Sequence, residues 1–325
     1  MQGQKNFPGL IFSLFLCVQI TQEFSFMTMN WKGVMPAMTT ALDEHYEIDH
    51  AFVARHAQWL IDAGCTAIVT PGSLGEGNTM TFSERASLWR TCVRALNGRA
   101  PVVAAIAALS TREAVDMAKA AQDAGCKGLM VLPPYVYKGD WRENKAHVAA
   151  VFNATPLSCM LYNNPIAYGV DYLPQHIAEL AEEHGNFAAV KESSADVRRV
   201  AAIRELIDER LALFIGVDDA IVEGIATGAV GWVAGLVNAL PKESVDLFNY
   251  AMNGEREKAF ALYRWFLPLL RMDVVPKFVQ LIKLCQQEVG MGNVRVRAPR
   301  LELVNGELEE ARSIIRTALA NRPQL

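Results

Sequence analysis

Phe187-Ala188-Ala189-Val190-Lys191-Glu192-Ser193-Ser194 is a short apolar run that stops at a lysine. A short apolar run bounded by polar residues reads as a strand of a parallel sheet, buried on both faces. Lys191 then has its stem among apolar groups and its amine at the strand's rim. Desolvation disfavours an ammonium, so a lysine in such a place keeps more free amine to attack a ketone and form a Schiff base. A lysine that merely snorkels from a strand end leaves the same local trace. The reading therefore depends on what else reaches the same face.

Outward from this run, strand-like and helical patterns alternate along the chain. Strands are predicted at 33–38, 66–70, 101–106, 128–132, 157–161, 187–190, 211–215 and 229–234. Helices are predicted at 48–63, 83–96, 111–124, 141–152, 174–183, 195–208 and 219–226, with Asp49 or Asp43 near the start of the first and Ser110 as an N-cap. Strand followed by helix, repeated to eight strands, is the count of a TIM (β/α)8 barrel, here spanning 29–240. A repeat supports it. Asp62-Ala63-Gly64-Cys65 returns as Asp123-Ala124-Gly125-Cys126, each at a helix end before a strand, and Thr227-Gly228-Ala229 does the same before the last strand. Glycine there supplies a left-handed helix stop. An open doubly wound sheet is the competing fold, but no G-x-G-x-x-G follows the first strand. Past Leu240 the strands end. Helical patterns at 242–252, 255–270, 276–289 and 308–320 make 241–325 a C-terminal helical extension packed on the barrel, with no Gly-, Ser- or Pro-rich linker before it.

Of 325 residues, 51% are hydrophobic and 20% charged, enough for a large core. A net charge of −4 and the lack of a long basic run argue against nucleic acid as a partner. Arg295, Arg297 and Arg300, the densest basic cluster, read as a solvated loop. Cys17, Cys65, Cys92, Cys126, Cys159 and Cys285 form no C-x-x-C pair, and several sit in apolar runs. They read as free buried thiols of a cytoplasmic protein. The histidines show no H-x-H or H-E-x-x-H spacing, so no metal is expected. Residues 1–28 hold an apolar stretch from Phe7 to Ile20 after Lys5, too short for a comfortable membrane span and without a clear cleavage site. They read as a non-native extension, with export the lesser reading.

A barrel of this kind carries its chemistry at the C-terminal ends of its strands. Those ends offer Thr39 and Thr40, then Gly72-Ser73-Leu74-Gly75-Glu76, Tyr135 and Tyr137, Tyr162 and Asn163, Lys191, Gly216 and Asp218, and Gly235. Singly, each has an ordinary explanation: glycine loops turn, aspartates cap helices, tyrosines line rims. Their convergence on one face points to chemistry. Lys191 forms an imine, a tyrosine on the neighbouring strand moves protons, and N–H groups of the Gly72–Leu74 loop hold a carboxylate. Together they suit reactions at the carbon beside the carbonyl of a 2-oxo acid.

Gly72-Ser73-Leu74-Gly75-Glu76, Tyr162-Asn163-Asn164-Pro165, Lys191-Glu192 and Gly216-Val217-Asp218-Asp219, in this order and spacing, resemble the dihydrodipicolinate synthase / N-acetylneuraminate lyase family of Schiff-base aldolases, from about Trp31 to Ala320. The resemblance implies a barrel with a helical tail, a tetramer or dimer with contacts near Tyr137, and no cofactor beyond the covalent imine. It implies Lys191 as the imine former, Tyr162 as general acid and base, and Ser73 with the loop N–H groups on the substrate carboxylate. Three positions depart from the synthases. Leu74 replaces the second loop threonine, so the threonine–tyrosine relay is incomplete. Val136 stands where a tyrosine serves the neighbouring subunit, with Tyr137 one residue later. Ala167, followed by Tyr168, replaces an arginine that would grip a dicarboxylate. The expected lining of Leu74, Val136, Ile166, Ala167, Tyr168 and Trp232 or Val233 is apolar and aromatic, and suits a less charged second substrate than the synthases use.

The function expected is a lyase that cleaves or forms a carbon–carbon bond of a 2-oxo acid through Lys191, with Thr40, Tyr137, Ala167, Gly216 and Val233 also lining the substrate site. Three alternatives remain: loss of water or ammonia by the same imine chemistry, a metal-dependent pyruvate aldolase with Glu76 and Asp218 as ligands, and a silent keto-acid binder.

Overall fold

The computed structural model describes Met1 and residues 29–323; the apolar N-terminal stretch and Cys17 lie outside the described residues. Eight parallel strands form one sheet: β1 Gly33–Pro36, β2 Ile68–Thr70, β3 Val102–Ile106, β4 Gly128–Val131, β5 Ser158–Asn163, β6 Phe187–Glu192, β7 Ala212–Ile215 and β8 Gly231–Ala234. Their order is β1-β8-β7-β6-β5-β4-β3-β2. The seam between β1 and β2 is joined by the Ala37–Val69 bridge and by the Met38 N–H to Val69 carbonyl bond of 2.9 Å, so the sheet curls into a barrel. Every residue of β3, Val-Val-Ala-Ala-Ile, is buried, as expected of a strand covered on both faces.

Between the strands run α1 His50–Asp62, α2 Phe82–Leu96, α3 Thr111–Asp123, α4 Trp141–Asn153, α5 Pro165–Tyr168, α6 Pro174–Glu183, α7 Arg198–Ile207 and α8 Ile221–Ala226. Asp49 caps α1 by accepting from Phe52 N–H, and Ser110 caps α3 through Glu113 N–H. Gly64 and Gly125, the repeated glycines, have φ of +104° and +90°, a conformation that carries a β-carbon only under strain. Then follow α9 Pro241–Met252, α10 Arg256–Leu270, α11 Phe278–Glu288 and α12 Asn305–Ala320. Trp265 on α10 donates to the Ala318 carbonyl on α12 at 2.8 Å.

Two strands exceed the predicted apolar runs, and both differences bear on the site. β5 continues through Tyr162 and Asn163, and β6 through Lys191 and Glu192, because their ladder goes on: Tyr162 pairs with Lys191 and Asn163 with Glu192. The arginine cluster is the third difference. It folds back onto the barrel: Arg297 Nη1 lies 2.7 Å from Glu84, and Arg297 N–H donates to Glu76 at 2.8 Å. The five described cysteines are buried and free of disulfides. Among the described residues, no helix is long and apolar enough to cross a membrane.

Candidate active site

Lys191, one residue before the end of β6, is 5% exposed, with Nζ 4.1 Å above the centre of the Tyr162 ring. The register that pairs the two residues across β5 and β6 sets this contact, and an ammonium gains from a ring face at that distance. On the other side Lys191 lies on Gly216. A β-carbon there would stand 2.4 Å from Lys191 Cε and 2.1 Å from Ser193 Oγ. Beneath the lysine, Asn163 is fully buried. It donates to Glu192 at 3.0 Å and to Asp171 at 3.2 Å, and accepts from Tyr172 N–H at 2.9 Å. Burial pushes the Glu192 carboxyl above its ordinary value. Arg199 grips Asp171 with two 2.7 Å bonds. This polar frame fixes the ends of both strands.

The hydroxyl of Tyr162 accepts from Asn164 Nδ2 at 3.1 Å. Its ring meets Tyr168 edge-on, with centroids 5.7 Å apart. Tyr168 leaves the single turn α5, which Asn164 caps by accepting from Ala167 N–H at 2.9 Å, and its hydroxyl is hydrogen-bonded to Ser73 Oγ. Burial, reinforced by the neighbouring phenols Tyr162 and Tyr135, holds the Tyr168 hydroxyl well above the usual range. Three hydroxyl-bearing side chains thus run from the glycine-rich loop to the lysine: Ser73, Tyr168, Tyr162. Tyr168, read from sequence only as lining, is the residue that stands between the loop serine and Tyr162.

The glycine-rich loop is built for close approach. A β-carbon on Gly77 would lie 2.4 Å from the Pro71 carbonyl oxygen. The N–H groups of Ser73 and Leu74 find no acceptor among the described residues, which leaves them as donors for an anion. Glu76, at a left-handed φ of 58°, is buried against Lys283 with an Nζ–Oε1 distance of 2.5 Å. Lys283 also donates to the Arg295 carbonyl at 2.6 Å.

Several expected site residues are placed differently. Thr40 is fully buried, and its hydroxyl donates to the Gly75 carbonyl at 2.8 Å, which holds the loop. Tyr137 is exposed, and its hydroxyl donates to Glu143 at 2.9 Å on the outer surface. Val233 is an interior residue of β8, paired with Met35. Gly72 and Leu74 belong to the loop that carries Ser73. The metal reading loses its ligands. Glu76 is occupied by Lys283, while Asp218 accepts from Trp232 Nε1 at 3.0 Å, Gly235 N–H at 3.1 Å and Leu236 N–H at 2.8 Å. Burial raises the Asp218 carboxyl to about 6. Each carboxylate serves its own internal network.

A cavity of about 680 Å³ opens beside Tyr168, over the ends of β3 to β5. Tyr135, Val136, Ile166, Ala167 and Tyr168 line it, with Arg85, Lys138 and Glu113 as charged neighbours. Lys191 does not line it. Tyr168 stands between, with one edge on the cavity and the other on Tyr162. Arg85 was not singled out from sequence. It is buried on α2, donates to the Ala107 carbonyl at 2.6 Å and leaves Nε without a partner. An arginine inside an amphipathic helix gives no sequence signal of such a position.

Barrel and strand-end residues together define a lyase of the class I aldolase type. Comparison with known proteins supplies the family: the chain belongs to the dihydrodipicolinate synthetase family, whose model matches residues 30–318. It is 31% identical over 294 residues to the 4-hydroxy-tetrahydrodipicolinate synthase of Caldicellulosiruptor bescii, covering 90% of this chain and 97% of the relative. It is 29% identical over 290 residues to that of Methanocaldococcus jannaschii, covering 89% and 98%. Among solved structures it is similar to a dihydrodipicolinate synthase of Bacillus anthracis, with a TM-score of 0.86, 28% identity and coverage of 91% and 100%. It is also similar to that of Acinetobacter baumannii, solved with pyruvate, with a TM-score of 0.84, 27% identity and coverage of 90% and 99%.

Proposed function

We propose that the chain forms a Schiff base between Lys191 and the carbonyl carbon of a 2-oxo acid, and uses it as an electron sink to make or break a bond further along the substrate. Lys191 Nζ attacks the keto carbon, and water leaves. The free N–H groups of Ser73 and Leu74, with the Ser73 hydroxyl, hold the substrate carboxylate. Tyr162 takes and returns the proton at C3, and Tyr168 passes it to Ser73. The observation that carries this reading is the Lys191–Tyr162 pair, set face to amine by strand register and continued by the Tyr168–Ser73 bond. The relative solved with pyruvate supports a 2-oxo acid as ligand. The cavity beside Tyr168 is apolar and aromatic at its tyrosine end and has Arg85, Lys138 and Glu113 elsewhere in its lining, which supports a second substrate with an apolar portion.

Leu109, Val136 and Ile166, each exposed, ring the cavity mouth. Covering these apolar side chains supports assembly as a homo-oligomer. The buried free thiols support a reducing, cytoplasmic setting.

The test is borohydride reduction in the presence of pyruvate, read by intact mass and peptide mapping, with Lys191→Ala as control. A reduced adduct on Lys191 that vanishes in the variant is expected. No adduct with pyruvate or with longer 2-oxo acids overturns the reading.

A further inference from the structure

Tyr162 and its hydroxyl chain approach Lys191 from the β5 side. On the opposite side, toward β8, stands an acid with no part in the scheme above. Asp273 follows α10, and its carboxyl rests directly on Gly235, just past the end of β8. A β-carbon on Gly235 would lie 1.9 Å from Asp273 Oδ1 and 2.3 Å from its Cγ. Only glycine admits the carboxyl there. Lys191 makes the same demand one strand over, where its Cε occupies the β-carbon space of Gly216, after β7. Each bare strand end thus gives its space to a charged side chain, the amine after β7 and the acid after β8, and the Lys191 charge acts on the Asp273 carboxyl.

Asp273 Oδ1 is closed to solvent and has no hydrogen-bond partner. This differs from Asp218, whose carboxylate is matched by three donors, one of them Gly235 N–H itself. A buried carboxylate left without a donor is costly, whereas the protonated acid removes the charge and offers a proton. The charged groups facing Asp273 are Lys191 from β6 and Asp218 and Asp219 from the turn after β7. Burial first, and then the Asp218 charge, hold its carboxyl well above the carboxylate range, against the opposing pull of Lys191.

We propose that Asp273 is a second catalytic acid of this site, which protonates a leaving group on C4 of the imine-bound 2-oxo acid, and that the chain therefore catalyses elimination. This rests on the Schiff-base reading. In aldol cleavage one group can serve both proton transfers in turn, taking the C4 hydroxyl proton as the C3–C4 bond breaks and returning it to C3 of the enamine. Elimination needs two, on different atoms. Tyr162 takes the C3 proton and the enamine forms. The enamine electron pair then expels the C4–O or C4–N bond, and the departing hydroxide or amine takes the Asp273 proton, leaving as water or ammonia. The step is redox-neutral and leaves an unsaturated imine for hydrolysis. A tyrosine chain on one side of the lysine and, on the other, a half-buried acid whose Oδ1 has no hydrogen-bond partner match that demand.

The test uses the full-length protein, wild type and Asp273→Asn, with 4-hydroxy-2-oxopentanoate as probe. Elimination gives the conjugated 2-oxopent-3-enoate, seen by its ultraviolet absorbance. Aldol cleavage gives pyruvate and acetaldehyde. Borohydride trapping of pyruvate and exchange of its C3 protons in D2O are followed in parallel. Wild type is expected to form the enoate. Asp273→Asn should lose it about 100-fold while keeping trapping and exchange, and should lose the fall in rate with rising pH that a required protonated acid imposes. Cleavage products without enoate in wild type overturn the proposal, although trapping then still upholds the Schiff base. So does an Asp273→Asn variant with undiminished elimination. Loss of trapping, exchange and elimination together assigns Asp273 to holding Lys191 and also overturns it. Failure of wild type to trap any 2-oxo acid defeats the underlying reading as well.

Discussion

Replacing Gly216 by alanine tests the Lys191 geometry with a single methyl group. The backbone at Gly216 is not left-handed, so alanine fits the main chain. Its β-carbon would lie 2.4 Å from Lys191 Cε, 2.8 Å from Lys191 Cγ and 2.1 Å from Ser193 Oγ. Ser193 Oγ has no hydrogen-bond partner among the described residues, so the serine rotates away without losing a bond. The lysine stem has no such freedom, since its amine is set over the Tyr162 ring. An ordinary carbon–carbon contact begins near 3.5 Å, so the stem must move by about 1 Å. A displacement of about 1 Å in a reacting group costs on the order of 100-fold in rate, or about 2.7 kcal/mol of barrier. The assay is the rate of borohydride trapping with pyruvate, with thermal unfolding measured on the same sample. Gly185→Ala, where a β-carbon meets nothing within 4 Å, is the control and should trap at the wild-type rate. A Gly216→Ala protein that traps pyruvate as fast as wild type would refute the placement of Lys191 argued above.

Tyr168→Phe removes the hydroxyl between Ser73 and Tyr162; turnover should fall about 100-fold while pyruvate is still trapped, and an unchanged rate excludes Tyr168 from the proton path. Lys283→Met leaves Glu76 buried without its ammonium and should cost about 3–5 kcal/mol in urea unfolding, a loss that Glu76→Gln in the same chain should partly restore; a loss below about 1 kcal/mol would show the pair to be dispensable. His56, fully buried and with one ring nitrogen 3.0 Å from the Asn238 carbonyl, is held down to about 4 by burial. The unfolded chain therefore binds the extra proton first, so stability should be intact above about pH 6.5 and fall as pH drops toward about 4. His56→Gln should lack that component of the slope, as followed by chemical denaturation at several pH values.

The barrel was legible because strands covered on both faces stand out as unbroken apolar runs, and because the repeated Asp-Ala-Gly-Cys marks the helix stops. Lys191 and Tyr162 were legible for a related reason: each is the polar residue that ends such a run. Tyr168 was named only as lining, since the turn Pro165–Tyr168 is too short to show a period and its direction is set by the Asn164 cap. Asp273, proposed here as an acid, has no sequence signal. It sits in a break between α10 and α11, and its contact with Gly235 joins positions 38 apart without any pattern. Thr40 and Tyr137 show the converse. A place at a strand end says where a residue is, but the rotamer that sends Thr40 to the Gly75 carbonyl and Tyr137 to Glu143 is decided by partners outside the strand.

Glu76 belongs to the second βα unit, yet its carboxylate is held by Lys283 and by Arg297 N–H, from the last part of the chain. During synthesis the eight strands all emerge before the first of these partners. A nascent barrel can therefore close its sheet while the loop that would hold a substrate carboxylate still lacks its ionic anchor. The anchor of this loop arrives late, with α11 and the arginine stretch. A chain ended before residue 283 lacks both partners, so in any barrel it forms Glu76 has neither the Lys283 ammonium nor the Arg297 N–H to meet its carboxylate.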